Sequence, residues 1–157
     1  MPALGFGVWQ IPDPEAEKAT REALASGYRS IDTAQIYANE EGVGRAIASS
    51  GVARSDVFLT TKVWNANQGR DATRRAFDDS LKKLATDYLD LYLIHWPSPK
   101  RGLYVETWKA LIELKKEGRV RSIGVSNFGP NELKRILDET GERPVLNQIA
   151  LHPRFQQ

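Results

Sequence analysis

Short runs rich in β-branched and aromatic residues alternate with longer amphipathic runs along the whole chain, and no other feature limits its fold so tightly. The strand-like run "LGFGV" precedes "DPEAEKATREALASG", where Asp13 reads as an N-cap, Pro14 as the first helical residue and Gly27 as the stop. "YRSIDTA" leads to "NEEGVGRAIASSG", and "VFLTTKVW" to "DATRRAFDDSLKKLATD", with Ala72, Ala76, Leu81 and Leu84 near helical spacing. "YLDLYLIHW" leads to "YVETWKALIELKKEG", and "VRSIGVS" to "GPNELKRILDETG"; "PVLNQIALHP" is the last strand-like run. These are six strands and five helical crossovers, at the roughly 25–33-residue period of a βα unit.

Strands joined through helices run parallel, and such crossovers are right-handed, so the sheet is either an open doubly wound sheet or a barrel. "GFGVWQ" carries two glycines and then Trp9 and Gln10, not the G-x-G-x-x-G turn of a dinucleotide fold, which favours the barrel. A complete (β/α)8 barrel takes about 250 residues. The expectation is therefore a single α/β barrel domain over residues 1–157 with about six of eight units, C-terminally incomplete. Left open, it would expose two sheet edges prone to self-association; at full length a monomer is expected.

Composition narrows the partners. Twenty-two Lys and Arg face 20 Asp and Glu with signs interspersed, which argues against a nucleic-acid or anionic-membrane partner. No cysteine is present, so disulfides, thiolate metal sites and cysteine nucleophiles are excluded. "MPALGFGVW" lacks a basic stretch followed by an apolar one, and a cytoplasmic protein is expected.

In a parallel βα array the chemistry gathers where the strands end. The polar residues at those ends are Asp32 with Tyr37 just beyond, Lys62, His95, Ser126 with Asn127, and Asn147 with Gln148. Singly, each has an ordinary role: a turn aspartate, a snorkelling lysine, a hydrogen-bonded core histidine. Titratable groups at the ends of neighbouring strands crowd one mouth, however, and a buried lysine there needs a carboxylate. Lys62 is then expected to lower the pKa of the Tyr37 phenol, with Asp32 holding the lysine charged. The phenol becomes a general acid toward a carbonyl oxygen, and His95 a second donor to it. Nothing in the set supplies hydride, so a reduced nicotinamide is required. A barrel metallohydrolase would use Asp32, His95 and His152, but that chemistry calls for a His-x-His pair and more than the two histidines present; no metal is expected.

These residues stand in motifs that resemble the aldo-keto reductases, closest to the bacterial 2,5-diketo-gluconate-reductase-like branch. The resemblance runs from Met1 to Gln157 through "LGFGVWQ", "GYRSIDTAQIYANEEGVGRAI", "LTTKVWN", "LDLYLIHWP", "EGRVRSIGVSNF" and "NQIALHP". It implies a catalytic tetrad on Asp32, Tyr37, Lys62 and His95, nicotinamide carboxamide contacts on Ser126, Asn127 and Gln148, and aromatic pocket walls on Trp9, Trp64 and Trp96. It further implies NADPH-dependent reduction of aldehydes or ketones, small or sugar-derived. The alternatives are a truncated or silent fragment of such a reductase, or a nicotinamide-binding regulatory subunit. The tyrosine that stacks on the nicotinamide and the basic loop that grips the adenosine phosphate in that family have no counterpart in these residues.

Overall fold

A computed structural model describes residues 1–157. Six strands, β1 (Phe6–Gly7), β2 (Ser30–Asp32), β3 (Phe58–Val63), β4 (Leu89–Ile94), β5 (Val120–Ser126) and β6 (Asn147–Gln148), form one sheet in sequential order, every pair parallel. A doubly wound sheet would reverse its strand order; this one does not, and the chain is a partial (β/α)8 barrel. The crossovers carry α1 (Asp13–Ala25), α2 (Glu40–Ser49), α3 (Arg70–Leu84), α4 (Tyr104–Lys116) and α5 (Pro130–Thr140).

Period-two alternation assigns each strand residue to one face of the sheet. Ile31, Leu59, Val63, Tyr92, Ile94, Ile123 and Val125 belong to a 26-residue apolar cluster shared with the helices. Helical spacing supplies the other half: Ala76, Phe77, Leu81 and Leu84 from α3, and Trp108, Leu111 and Leu114 from α4. The opposite face carries Asp32 level with Thr60, and Lys62 level with Leu93, which points the polar side chains into the barrel. All six residues of β4 are buried, as a parallel strand covered on both faces requires.

Two glycines let α2 wedge between its neighbours. A Cβ on Gly42 would stand 2.3 Å from the Asp13 carbonyl oxygen, and one on Gly44 2.7 Å from that of Lys83. This contact explains a departure from the sequence reading: Asp13 is the first helical residue rather than an N-cap. Its carboxylate accepts from the Gly42 N–H at 2.6 Å and pairs with Arg45, tying α1 to α2. The last strand is also shorter than expected. Asn147 and Gln148 form its ladder with β5, and just before them the Val145 N–H donates to the Ile123 carbonyl and the Leu146 carbonyl accepts from the Val125 N–H.

Opposite the polar mouth, an ion cluster centred on the buried Asp90 ties the strand starts together. The Asp90 carboxylate, 3% exposed, accepts from Arg54 at 2.9 Å, Arg121 at 2.8 Å and the Leu59 N–H at 3.0 Å. Both guanidinium groups lie over the Tyr88 ring, at 4.2 and 4.5 Å.

Candidate active site

A cleft of about 610 Å³ opens at the carboxyl ends of the strands. Asp32, Tyr37 and His95 line it together with Ser126, Asn127, Gln148 and the three tryptophans Trp9, Trp64 and Trp96. Lys62 lies beneath, 1% exposed, its Nζ bonded to the Asp32 carboxylate and, at 3.0 Å, to the Thr33 carbonyl. The four tetrad candidates, Ser126, Asn127, Gln148 and the three tryptophans are thus at one mouth, and Asn147 is not among its lining. Trp9 and Trp96 stand on its rim, 66% and 46% exposed, and Trp64 sits deeper. Four of the six non-glycine residues with positive φ, Gln10, Ala38, Ser98 and Asn127, lie in the loops that carry these side chains.

The electrostatics correct one expectation. The Tyr37 phenol is pushed up to about 12, first by burial and second by the Asp32 carboxylate. Lys62 Nζ lies 5.2 Å from the ring centroid, but its charge is paired with Asp32, so it does not lower the phenol. Burial in turn lowers the Lys62 pKa, with Asp32 opposing that shift. The His95 imidazole is held down at about 4 by burial and by the neighbouring ammonium, and is neutral at physiological pH. Its Nδ1 is buried without a hydrogen-bond partner. A proton there would be an orphaned donor, so the neutral ring is assigned its proton on Nε2.

His95 is gripped by rings. Tyr37 meets it edge-on at 5.6 Å between centroids and Trp64 at 5.3 Å. From β5, the Asn127 amide donates to the His95 carbonyl at 3.0 Å and to Ser126 Oγ at 3.0 Å, and Ser126 Oγ donates to the Gln148 carbonyl at 2.9 Å. Gln148 Nε2 donates to the second Asp32 oxygen at 2.9 Å, joining β6 to β2 across the mouth. Asn147 has an ordinary role: its amide closes two bonds with the Phe128 backbone.

Three supporting residues were absent from the sequence reading. Asn39, fully buried, donates to the Val8 and Ile11 carbonyls on either side of Trp9 and accepts from Thr33, whose own carbonyl holds Lys62. Gln68 Nε2 donates to the Trp96 carbonyl at 2.7 Å. Gln35 Oε1 accepts from the Trp64 N–H and the Asn67 amide. Amides in loops are too common for their identity alone to nominate them.

The fold and this mouth define the (β/α)8-barrel class, whose chemistry lies at the carboxyl ends of the strands. A model of the aldo/keto reductase family matches residues 3–157, and the chain belongs to that family. It is 64% identical to an aldo/keto reductase of Brucella melitensis whose crystal structure superposes with a TM-score of 0.97, covering 100% of this chain and 61% of that one. It is 56% identical to the methylglyoxal reductase DkgA of Escherichia coli over 157 residues, 100% of this chain and 56% of that protein. A variant of Gox0644 in complex with NADPH superposes with a TM-score of 0.95 at 56% identity, covering 100% of this chain and 56% of that one. The chain spans a little over half the length of the curated relatives it matches.

Proposed function

We propose that this chain is the tetrad-bearing part of a single-domain NADPH-dependent reductase that converts small aldehydes and ketones, sugar-derived carbonyls among them, to alcohols in the cytoplasm. The observation that carries this reading is the meeting of Tyr37, His95 and the Asp32–Lys62 pair at one cleft walled by three tryptophans. At full length the protein is read as a monomer, since further units would cover the open strand edges. No helix is long and apolar enough to cross a membrane.

The nicotinamide end of such a cofactor fits the residues present. Ser126, Asn127 and Gln148 offer amide and hydroxyl groups on the cleft wall facing Tyr37 and His95. A reduced nicotinamide held there supplies hydride to the carbonyl carbon. No Lys or Arg lines the cleft, so the phosphate end finds no cation in it.

The chain's own groups do the rest. Tyr37 and the Nε2–H of His95 donate to the carbonyl oxygen and orient it. A phenol near 12 is protonated throughout the physiological range. As hydride arrives the oxygen becomes an alkoxide, a stronger base than phenolate, and it takes the Tyr37 proton even at that pKa. The phenolate left behind opens on the cleft and is reprotonated from solvent. The neutral state of His95 is what lets it orient without competing as the acid. Trp64 within the cleft and Trp9 and Trp96 on its rim supply apolar area for the substrate.

The reading is tested by following NADPH absorbance with methylglyoxal in the full-length protein and in this chain. Turnover by the full-length protein is expected, with weak NADPH binding by the 157 residues alone. Full-length protein that binds NADPH and reduces no aldehyde or ketone overturns the reading, and sub-micromolar NADPH binding by this chain overturns the second statement.

A further inference from the structure

His95 lacks the support that usually fixes a functional imidazole, a hydrogen bond to its second nitrogen. Its orientation rests on two edge-on rings, Tyr37 and Trp64, which belong to different loops, one after β2 and one after β3. The separation of those loops therefore sets the width of the grip. One side chain spans them. Gln35 lies in the same helical turn as Tyr37 and sends Oε1 across to accept from the Trp64 N–H at 3.2 Å and from Asn67 Nδ2 at 2.9 Å. Its Nε2 makes no hydrogen bond within the protein, so the strut uses its acceptor alone.

We propose that Gln35 is a positioning residue: it clamps the Tyr37 and Trp64 loops together and so holds the His95 imidazole in the orientation that seats the carbonyl. Gln35 does not line the cleft and touches no substrate there. The role in seating a carbonyl rests on the reductase reading above; the clamp on His95 does not.

The chemistry of the strut separates this role from general packing. Glutamate presents the same acceptor at the same length, whereas leucine fills the same space with no acceptor. In His-labelled full-length protein the imidazole signal of His95 is assigned as the one lost in His95→Gln. Lying between two ring edges, His95 should resonate away from its unfolded position at a pH where it is neutral. In Gln35→Leu at least half of that displacement should be lost or the signal should broaden, with the cooperative thermal transition retained. Gln35→Glu should keep the signal in place. Asn67→Ala, which removes one of the two donors, should move it the same way by less. A folded Gln35→Leu with an unmoved His95 signal overturns the proposal, as does Gln35→Glu moving it equally far. If Gln35→Leu fails to fold, Asn67→Ala decides, an unmoved signal again being fatal. In turnover, Gln35→Leu should raise KM several-fold more than it lowers kcat, and Gln35→Glu should restore KM. Absence of turnover in the parent protein counts against the reductase reading alone, since the spectroscopic arms need none.

Discussion

On one side of the cleft Asp32, Lys62 and His95 stand on or just beyond β2, β3 and β4, strands paired along both edges; on the other, Gln148 and Ile149 hang from β6, two residues long with one free edge. The paired side is cross-linked, with Lys62 buried against Asp32. The free side is open: Met1, Pro2, Leu146 and Leu151 line a groove of about 530 Å³ that runs down to Thr60 and Leu91 on the inner face. The same kind of strand end thus gives a preorganised ion pair where neighbours exclude water, and exposed apolar side chains where they do not. The titratable groups of the cleft lie on the closed side, and the one polar bond across the mouth, Gln148 to Asp32, depends on the open one.

The largest expected effect sharpens that contrast chemically. Tyr37→Phe should lower turnover by roughly 10²–10⁴-fold while leaving the thermal transition unchanged, because the phenol makes no hydrogen bond within the protein. Steady-state kinetics beside calorimetry check this, and a parallel fall in stability would make Tyr37 structural.

Next comes stability. Asp90→Ala leaves the Leu59 N–H without an acceptor and takes one of several partners from the partly buried Arg54 beneath the closed side, and should cost about 1–3 kcal/mol in urea unfolding. Leu151→Ser on the open side should stay within ~0.5 kcal/mol. Equal losses would break the comparison.

Two buried groups on the closed side give stability opposite pH dependences. His95 titrates at about 4 when folded against 6.5 ordinarily, so the unfolded chain takes up a proton that the native one refuses. Its contribution is full above 6.5 and falls away as the pH drops from 6.5 to about 4, and His95→Asn should remove that part of the loss. Burial raises the Glu40 carboxyl above its ordinary 4.5, with a hydrogen bond from Thr61 opposing the shift. For it the protonated native form is the favoured one: stability is full below 4.5 and is lost as the pH rises through the raised value. Glu40→Gln should flatten that limb. Urea midpoints across the pH range read both.

The smallest effect belongs to the rim. Trp96→Ala, nearly half exposed, should raise KM a few-fold and move stability by no more than ~0.5 kcal/mol.

The βα alternation was legible because each unit carries its own period, and the order of elements along the chain matches that in the structure. Residues 120–126 read as a strand and are one, Val120–Ser126. Asp32, Lys62 and His95 were legible because a charged or titratable residue closing an apolar strand contradicts local burial and so demands a partner. Asp13 was misread, since a cap and an interhelical ligand look alike until Gly42 brings α2 against α1. Gln35, Asn39 and Gln68 were invisible, because their partners lie 28 to 32 residues away in other loops.

By itself the sequence determined which residues alternate between strand and helix and which polar groups crown the strands, since both follow from local period and from the cost of burying charge. Only the tertiary structure decided the electrostatic state of the site. Whether Lys62 lowers the Tyr37 phenol depends on how completely Asp32 neutralises it and how much water reaches the ring. Both are set by packing among segments remote in the chain, and here they leave the phenol firmly protonated and His95 neutral, held by rings rather than by a hydrogen bond.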